Sequence, residues 1–194
     1  MCWNEEVSMI SFIIGFGVSS ILFIRNKEYD KLLSSLVFFY SFMQYFEARM
    51  WAAIKRGDEK TNVFYTKCAY IILWSHVFAI GLGFYLETGN PHLMIVGLLI
   101  WSYGLYVMPK MKPSLPTPTS NGHLVWGFDH IFYIYIFILI IAYCLQFTNL
   151  KYTGIPLAFY VLSFIYTWIT NEEAIGSMWC WFAAFFSFVP LITI

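Results

Sequence analysis

Charge is the scarcest thing in this sequence. Of its 194 residues only 11% are Asp, Glu, Lys or Arg, less than half of the roughly 25% found in an ordinary soluble domain. That leaves too little polar surface to coat a water-facing globule. Neither sign dominates, with 11 basic and 11 acidic residues, which excludes nucleic acid and a polybasic lipid-binding face as the main partner. Cysteine is sparse as well. Cys2, Cys68, Cys144 and Cys180 stand far apart with no CxxC pair, so neither a disulfide framework nor a zinc knuckle is expected. No Asn-x-Ser/Thr sequon and no retrieval or prenylation motif occurs. The opening Met1-Cys2-Trp3-Asn4-Glu5-Glu6 lacks a basic leader and no small-residue cleavage site follows, so the first apolar stretch is expected to be retained.

What fills the space is apolar: 60% of the residues are hydrophobic and 22% aromatic. A bilayer core about 30 Å thick takes roughly 20 helical residues, because backbone groups must be satisfied within the segment. Seven stretches, approximately 7–24, 32–54, 63–86, 92–108, 125–147, 154–170 and 174–194, meet that test. The sequence therefore predicts an all-α polytopic membrane protein, one domain made of a bundle of about seven transmembrane helices. Charged turns at 25–31 and 55–60 separate the first three. Residues 87–91 and 171–173 make two more breaks, and the four prolines between Pro109 and His123 forbid a helix there. Pro91 and Pro156 are expected in the first turns of the fourth and sixth segments. Ser8, Ser11, Gly15 and Ser19 share one face of the first, a stripe suited to close helix approach. Segments one to three and five to seven match in neither motif nor spacing, which gives an internal repeat no support. Basic residues, counted with Arg49 and Lys67, place the N-terminus on the cytoplasmic side. No organelle is specified.

Ionisable residues inside a membrane are costly and usually face a protein interior or an aqueous cavity. Here they are Glu47, Arg49, Lys67, His76, Asp129 and His130. Counted inward from the loop between the second and third segments, Glu47 lies roughly 12 Å deep and Lys67 roughly 8 Å. Asp129 and His130 enter from the same face to a depth of roughly 6 to 8 Å. Cys2 also belongs to this face, whereas His76 lies roughly 20 Å in. Tyr40, Gln44, Glu47 and Trp51 form one helical stripe, and His123, Trp126 and His130 are expected to form another. The plainer reading treats Arg49 and Lys67 as snorkelling cations, and Glu47 and Asp129 as halves of structural pairs with Arg49, Lys67 or His130.

The start Met1-Cys2-Trp3 resembles that of a small, uncharacterised family of multi-pass membrane proteins of bacteria and large DNA viruses. Met43-Gln44-Tyr45-Phe46-Glu47-Ala48 resembles its glutamate motif. His76, and Gly122-His123-Leu124-Val125-Trp126 with its His-x-x-Trp pattern, extend the likeness over about half of the chain. The resemblance singles out Cys2, Glu47, His76, His123 and Trp126 and implies no activity. Microbial rhodopsins also have seven helices, but the last segment here has no lysine for a retinal Schiff base.

Three functions compete. The first is a channel or carrier for protons or small cations through Gln44, Glu47, His76, Trp126, Asp129 and His130. The second is a zinc, copper or haem centre using Cys2, His76, His123 and His130, although no metal is required and no HxxxH spacing focuses the set. The third is a non-catalytic structural bundle, with the aromatic run from Trp179 to Phe188 as a contact surface. An enzyme is not expected, since Ser75 and His76 are adjacent and do not face each other on a helix. The expected partners are the bilayer, a small ion or solute, and further copies of the chain.

Overall fold

A computed structural model describes residues 4–108, 116–118, 123–126, 141, 150–170 and 174–178. It is built of helices: α1 Glu5–Arg25, α2 Asp30–Arg56, α3 Glu59–Thr88, α4 His92–Val107 and α5 Leu150–Thr170. Two residues, Thr117–Pro118 (β1), pair antiparallel with Leu124–Val125 (β2), Thr117 opposite Val125 and Pro118 opposite Leu124. α1 packs on α2, α2 on α3 and α3 on α4.

Polar side chains set the helix ends. Asn4 accepts the Val7 N–H at 2.9 Å, and Asp58 accepts the Thr61 N–H at 3.0 Å and its hydroxyl at 2.6 Å. These are side-chain N-caps that satisfy donors left open by the helix itself. α2 and α3 stop at Gly57 and Gly89, whose φ values of +66° and +74° belong to the left-handed C-cap.

α1 lies at the edge, with only 28% of its apolar window buried. Ser8, Gly15 and Ser19 face inward, and the Ser19 hydroxyl donates to the Ser34 carbonyl at 2.9 Å. This is the small-residue packing that the stripe predicts. Ile13 and Ile24 on the other face are 61% and 81% exposed. α3 is central, with 61% of its window buried. Its contact with α4 depends on Gly81 and Gly97: a Cβ on Gly97 would lie 2.7 Å from the Phe78 Cα, and one on Gly81 2.7 Å from the Met94 Cα.

Among the described residues two helices, α1 and α3, are long and apolar enough to cross a membrane. That is fewer than the seven spans expected, and the described helices do not support a seven-span bundle by themselves. α2 has 27 residues, but Asp30, Lys31, Glu47, Arg49, Lys55 and Arg56 lower its hydropathy. α4, at 16 residues, falls short of the roughly 20 that span a bilayer core. The sixth segment begins at Leu150, so Pro156 lies in the second helical turn and not in the first.

At one end of the bundle Asp30 is fully buried and accepts from Arg25 twice, Nη2 at 2.6 Å and Nε at 2.8 Å. It also accepts the Lys27 N–H at 2.8 Å. Nearby, Glu87 accepts the Lys31 N–H at 2.7 Å, tying the start of α2 to the end of α3. Burial by itself raises the Asp30 carboxyl, but the Arg25 guanidinium and the Lys27 amide outweigh it and hold the group below its ordinary value of 3.8. A lowered carboxyl contributes stability that is complete above its ordinary value and fades as the pH falls through the folded one. Asp30→Asn is therefore expected to cost about 2 kcal/mol at neutral pH, measured by thermal unfolding in detergent, with the gap to wild type closing in acid below pH 3.8. An equal gap at all pH values would refute this account of the turn.

Candidate functional site

α2 carries its polar residues on the buried side. Gln44 and Glu47 are fully buried and Tyr40 nearly so, at 6% exposure. Their spacing of four and three residues puts them on one stripe, and Met43 and Met50 close around them with no exposure of their own. The Glu47 Oε1 accepts the hydroxyl of Ser177 at 2.5 Å. That contact brings residues 174–178, where Ala174, Ile175 and Met178 are also buried, against the middle of α2.

One to two turns along the stripe the Tyr40 ring lies over the His76 imidazole, centroids 4.2 Å apart and planes tilted by 30°. His76 is fully buried on α3. Neither ring nitrogen has a hydrogen-bond partner among the described residues; the Phe39 carbonyl acts on the ring without completing a bond. A buried imidazole in this condition is expensive unless a ligand or water uses it. Neighbouring Ser75 donates to the Ile72 carbonyl of its own helix at 2.7 Å, so no Ser–His pair forms.

Of the proline-rich connector, Pro116 meets α3. Asn62, itself 5% exposed, donates to the Pro116 carbonyl at 3.4 Å. Leu124 and Trp126, at 0% and 1% exposure, join the core formed by Met43, Met50, Leu73 and Trp74. This corrects the helical stripe expected for His123, Trp126 and His130: β2 is extended because it pairs with β1, so a 3.6-residue period does not apply at 123–126. His123 is buried all the same, at 6% exposure.

Burial lowers the His123 imidazole below its ordinary value of 6.5. A lowered histidine favours the folded loop fully above pH 6.5 and progressively less below it. Amide exchange at 123–126, corrected for the intrinsic rate, is expected to quicken as the pH falls from about 7.5 to about 5.5. His123→Gln should flatten that dependence, and a wild-type profile already flat would refute it.

Arg49 does not pair with Glu47. Its guanidinium lies 5.5 Å from the Tyr65 ring centroid and its Nε donates to the Tyr65 hydroxyl at 3.4 Å. The structure thus brings together Glu47, Gln44, Tyr40 and His76, and adds Trp126 through the shared core. Asp129, His130 and Cys2 lie outside the described residues. Of the four candidate metal ligands only His76 and His123 are described, and no group of three His, Cys, Asp or Glu converges among the described residues.

Ser177 is the site residue that spacing did not reveal. It stands 130 positions from Glu47, and one hydroxyl in an apolar segment has no periodic signal. Ser163 and Thr167, 7% and 0% exposed, lie one turn apart on α5. Thr167 is satisfied within its helix, donating to the Ser163 carbonyl at 2.6 Å.

The chain is similar to an uncharacterized protein of Acanthamoeba polyphaga mimivirus, 26% identical over 222 aligned positions that cover 93% of this chain and 90% of the relative. The likeness runs nearly the full length of both chains. No family model and no solved structure matches.

Proposed function

We propose that this chain is a multi-pass membrane protein of the kind that Met1-Cys2-Trp3 and the glutamate motif resemble, and that it conducts protons along the Glu47–Gln44–Tyr40–His76 stripe. The observation that carries the reading is the burial of two titratable side chains, Glu47 and His76, at two depths of one helix pair with zero exposure. Intramembrane titratable groups are the usual mark of a proton relay. From Glu47 to Tyr40 is seven residues, roughly 10 Å of rise, about a third of a hydrocarbon core near 30 Å. Water molecules bridging the stripe would complete the transfer, Gln44 ordering them by donating and accepting at once.

A proton suits this set better than a metal cation. Hard cations gather about six oxygen ligands, whereas the described layer offers Glu47, Gln44 and Ser177. In this reading α1 and α3 are joined in the bilayer by α2, whose polar stripe is covered by neighbours, and by α4, α5 and the apolar segments 125–147 and 174–194. The N-terminus lies on the cytoplasmic side.

The test is a flux assay. Purified chain in liposomes, driven by a potassium gradient with valinomycin, is expected to acidify the lumen at a rate that rises with the protein-to-lipid ratio. Flux no greater than in protein-free liposomes overturns the proposal.

A further inference from the structure

At the end of the bundle that holds the N-terminus, a cavity of about 780 Å³ opens between the first turns of α1 and the last turns of α2. That is within the roughly 300–1,000 Å³ of small-molecule sites. Its walls are unlike one another. Glu5 and Glu6 stand on the α1 side and Lys55 on the α2 side, with Met9, Ile10 and Trp51 between them. Among the described residues the one ion pair is Arg25–Asp30, so neither carboxylate has used Lys55 as its counter-charge. Opposite charges held apart across a cavity are complementary to a ligand that carries both signs itself.

We propose that this cavity binds a zwitterionic phosphoethanolamine headgroup, presented by a membrane phospholipid. The ammonium lies between Glu5 and Glu6, and the phosphate accepts from Lys55. The acyl chains leave past Ile10 and along the outer face of α1, where Ile10, Ile13 and Ile14 are 48%, 61% and 41% exposed. Apolar surface therefore runs from the cavity floor to the face that meets lipid in the membrane reading above, on which this inference rests. Trp and Lys side chains are at home at this depth, between headgroup and chain.

Native mass spectrometry of the full chain tests the site, with phosphatidylethanolamine and phosphatidylglycerol of the same chain length offered in equal amounts. Wild type is expected to retain phosphatidylethanolamine roughly fivefold better, the ratio that about 1 kcal/mol of charge pairing yields. Glu5→Gln with Glu6→Gln, both exposed positions whose exchange leaves the core intact, should remove the preference. Equal retention of the two lipids by wild type overturns the proposal. Displacement of bound lipid by an equal concentration of glycerophosphoethanolamine overturns it too, since the free headgroup would then be the ligand. Failure of the membrane reading looks different: alkaline carbonate would extract the chain from membranes altogether.

Discussion

Glutamine in place of Glu47 is expected to cut proton flux in proteoliposomes by roughly a hundredfold, the lower range of what a positioned acid–base group contributes. The substitution keeps the volume and planarity of the side chain. It also keeps an oxygen to accept the Ser177 hydroxyl, the contact that holds residues 174–178 against α2. What it removes is the ability to hold and release a proton. Folding should therefore survive, and a monodisperse variant with near-native thermal unfolding is the required control. Ser177→Ala is expected to act less severely, since it removes one partner of the carboxylate and leaves the carboxylate in place. A Glu47→Gln protein that conducts as wild type does would remove Glu47 from the path, however deeply it is buried.

Leucine in place of Gly97 is expected to prevent α4 from docking and to abolish the folded yield in detergent. Ordinary overpacking of a core costs about 1–3 kcal/mol, because side chains can shift. Here the first added atom already meets backbone: the Phe78 Cα at 2.7 Å and the Val77 carbonyl oxygen at 2.9 Å. Accommodation would need α3 and α4 to separate, and Gly81, whose missing Cβ faces the Met94 Cα at 2.7 Å, would lose its contact at once. Gly17 provides the comparison. Nothing lies within 4 Å of a Cβ there, so Gly17→Ala should be neutral or stabilising by up to about 1 kcal/mol, the helix-propensity difference. Size-exclusion profiles and thermal unfolding separate the two outcomes, and equal behaviour of the two variants would show that the α3–α4 approach is not the constraint described.

Among the described residues, α1 to α4 were legible because long apolar runs between charged turns leave a strong compositional signal. α4 spans His92–Val107 where residues 92–108 were expected, and α1 to α3 each extend by a few residues at either end. Those extensions have a common cause. Asn4 and Asp58 are caps, and Glu5, Glu6, Arg56 and Glu59 are charged residues inside the end turns, so polarity marks the edge of the apolar zone and not the edge of the helix. The stripe through Tyr40, Gln44 and Glu47 was legible for the same reason that helices are: a fixed period carries facing with it.

Contacts made across long sequence separations were not legible. Ser177 meets Glu47 through the path of a chain whose course no local pattern encodes, and the inward turn at Pro116 depends on Asn62, 54 positions away. Pro116 and Pro118 lie outside any helix as expected, but the prolines did not foretell the burial of Leu124 and Trp126. Strand pairing over two residues is too short to show alternation, so the His-x-x-Trp spacing at 123–126 reads as helical from sequence alone.

Proton conduction along this stripe requires Glu47 to exchange a proton while it remains enclosed in the folded bundle. Infrared difference spectroscopy of the reconstituted protein, equilibrated in acid and then in alkali, measures this most directly. The prediction is a carboxylic C=O band that changes between the two states, shifts in deuterated water, and is missing from Glu47→Gln. A difference spectrum in which wild type and Glu47→Gln are identical would contradict it.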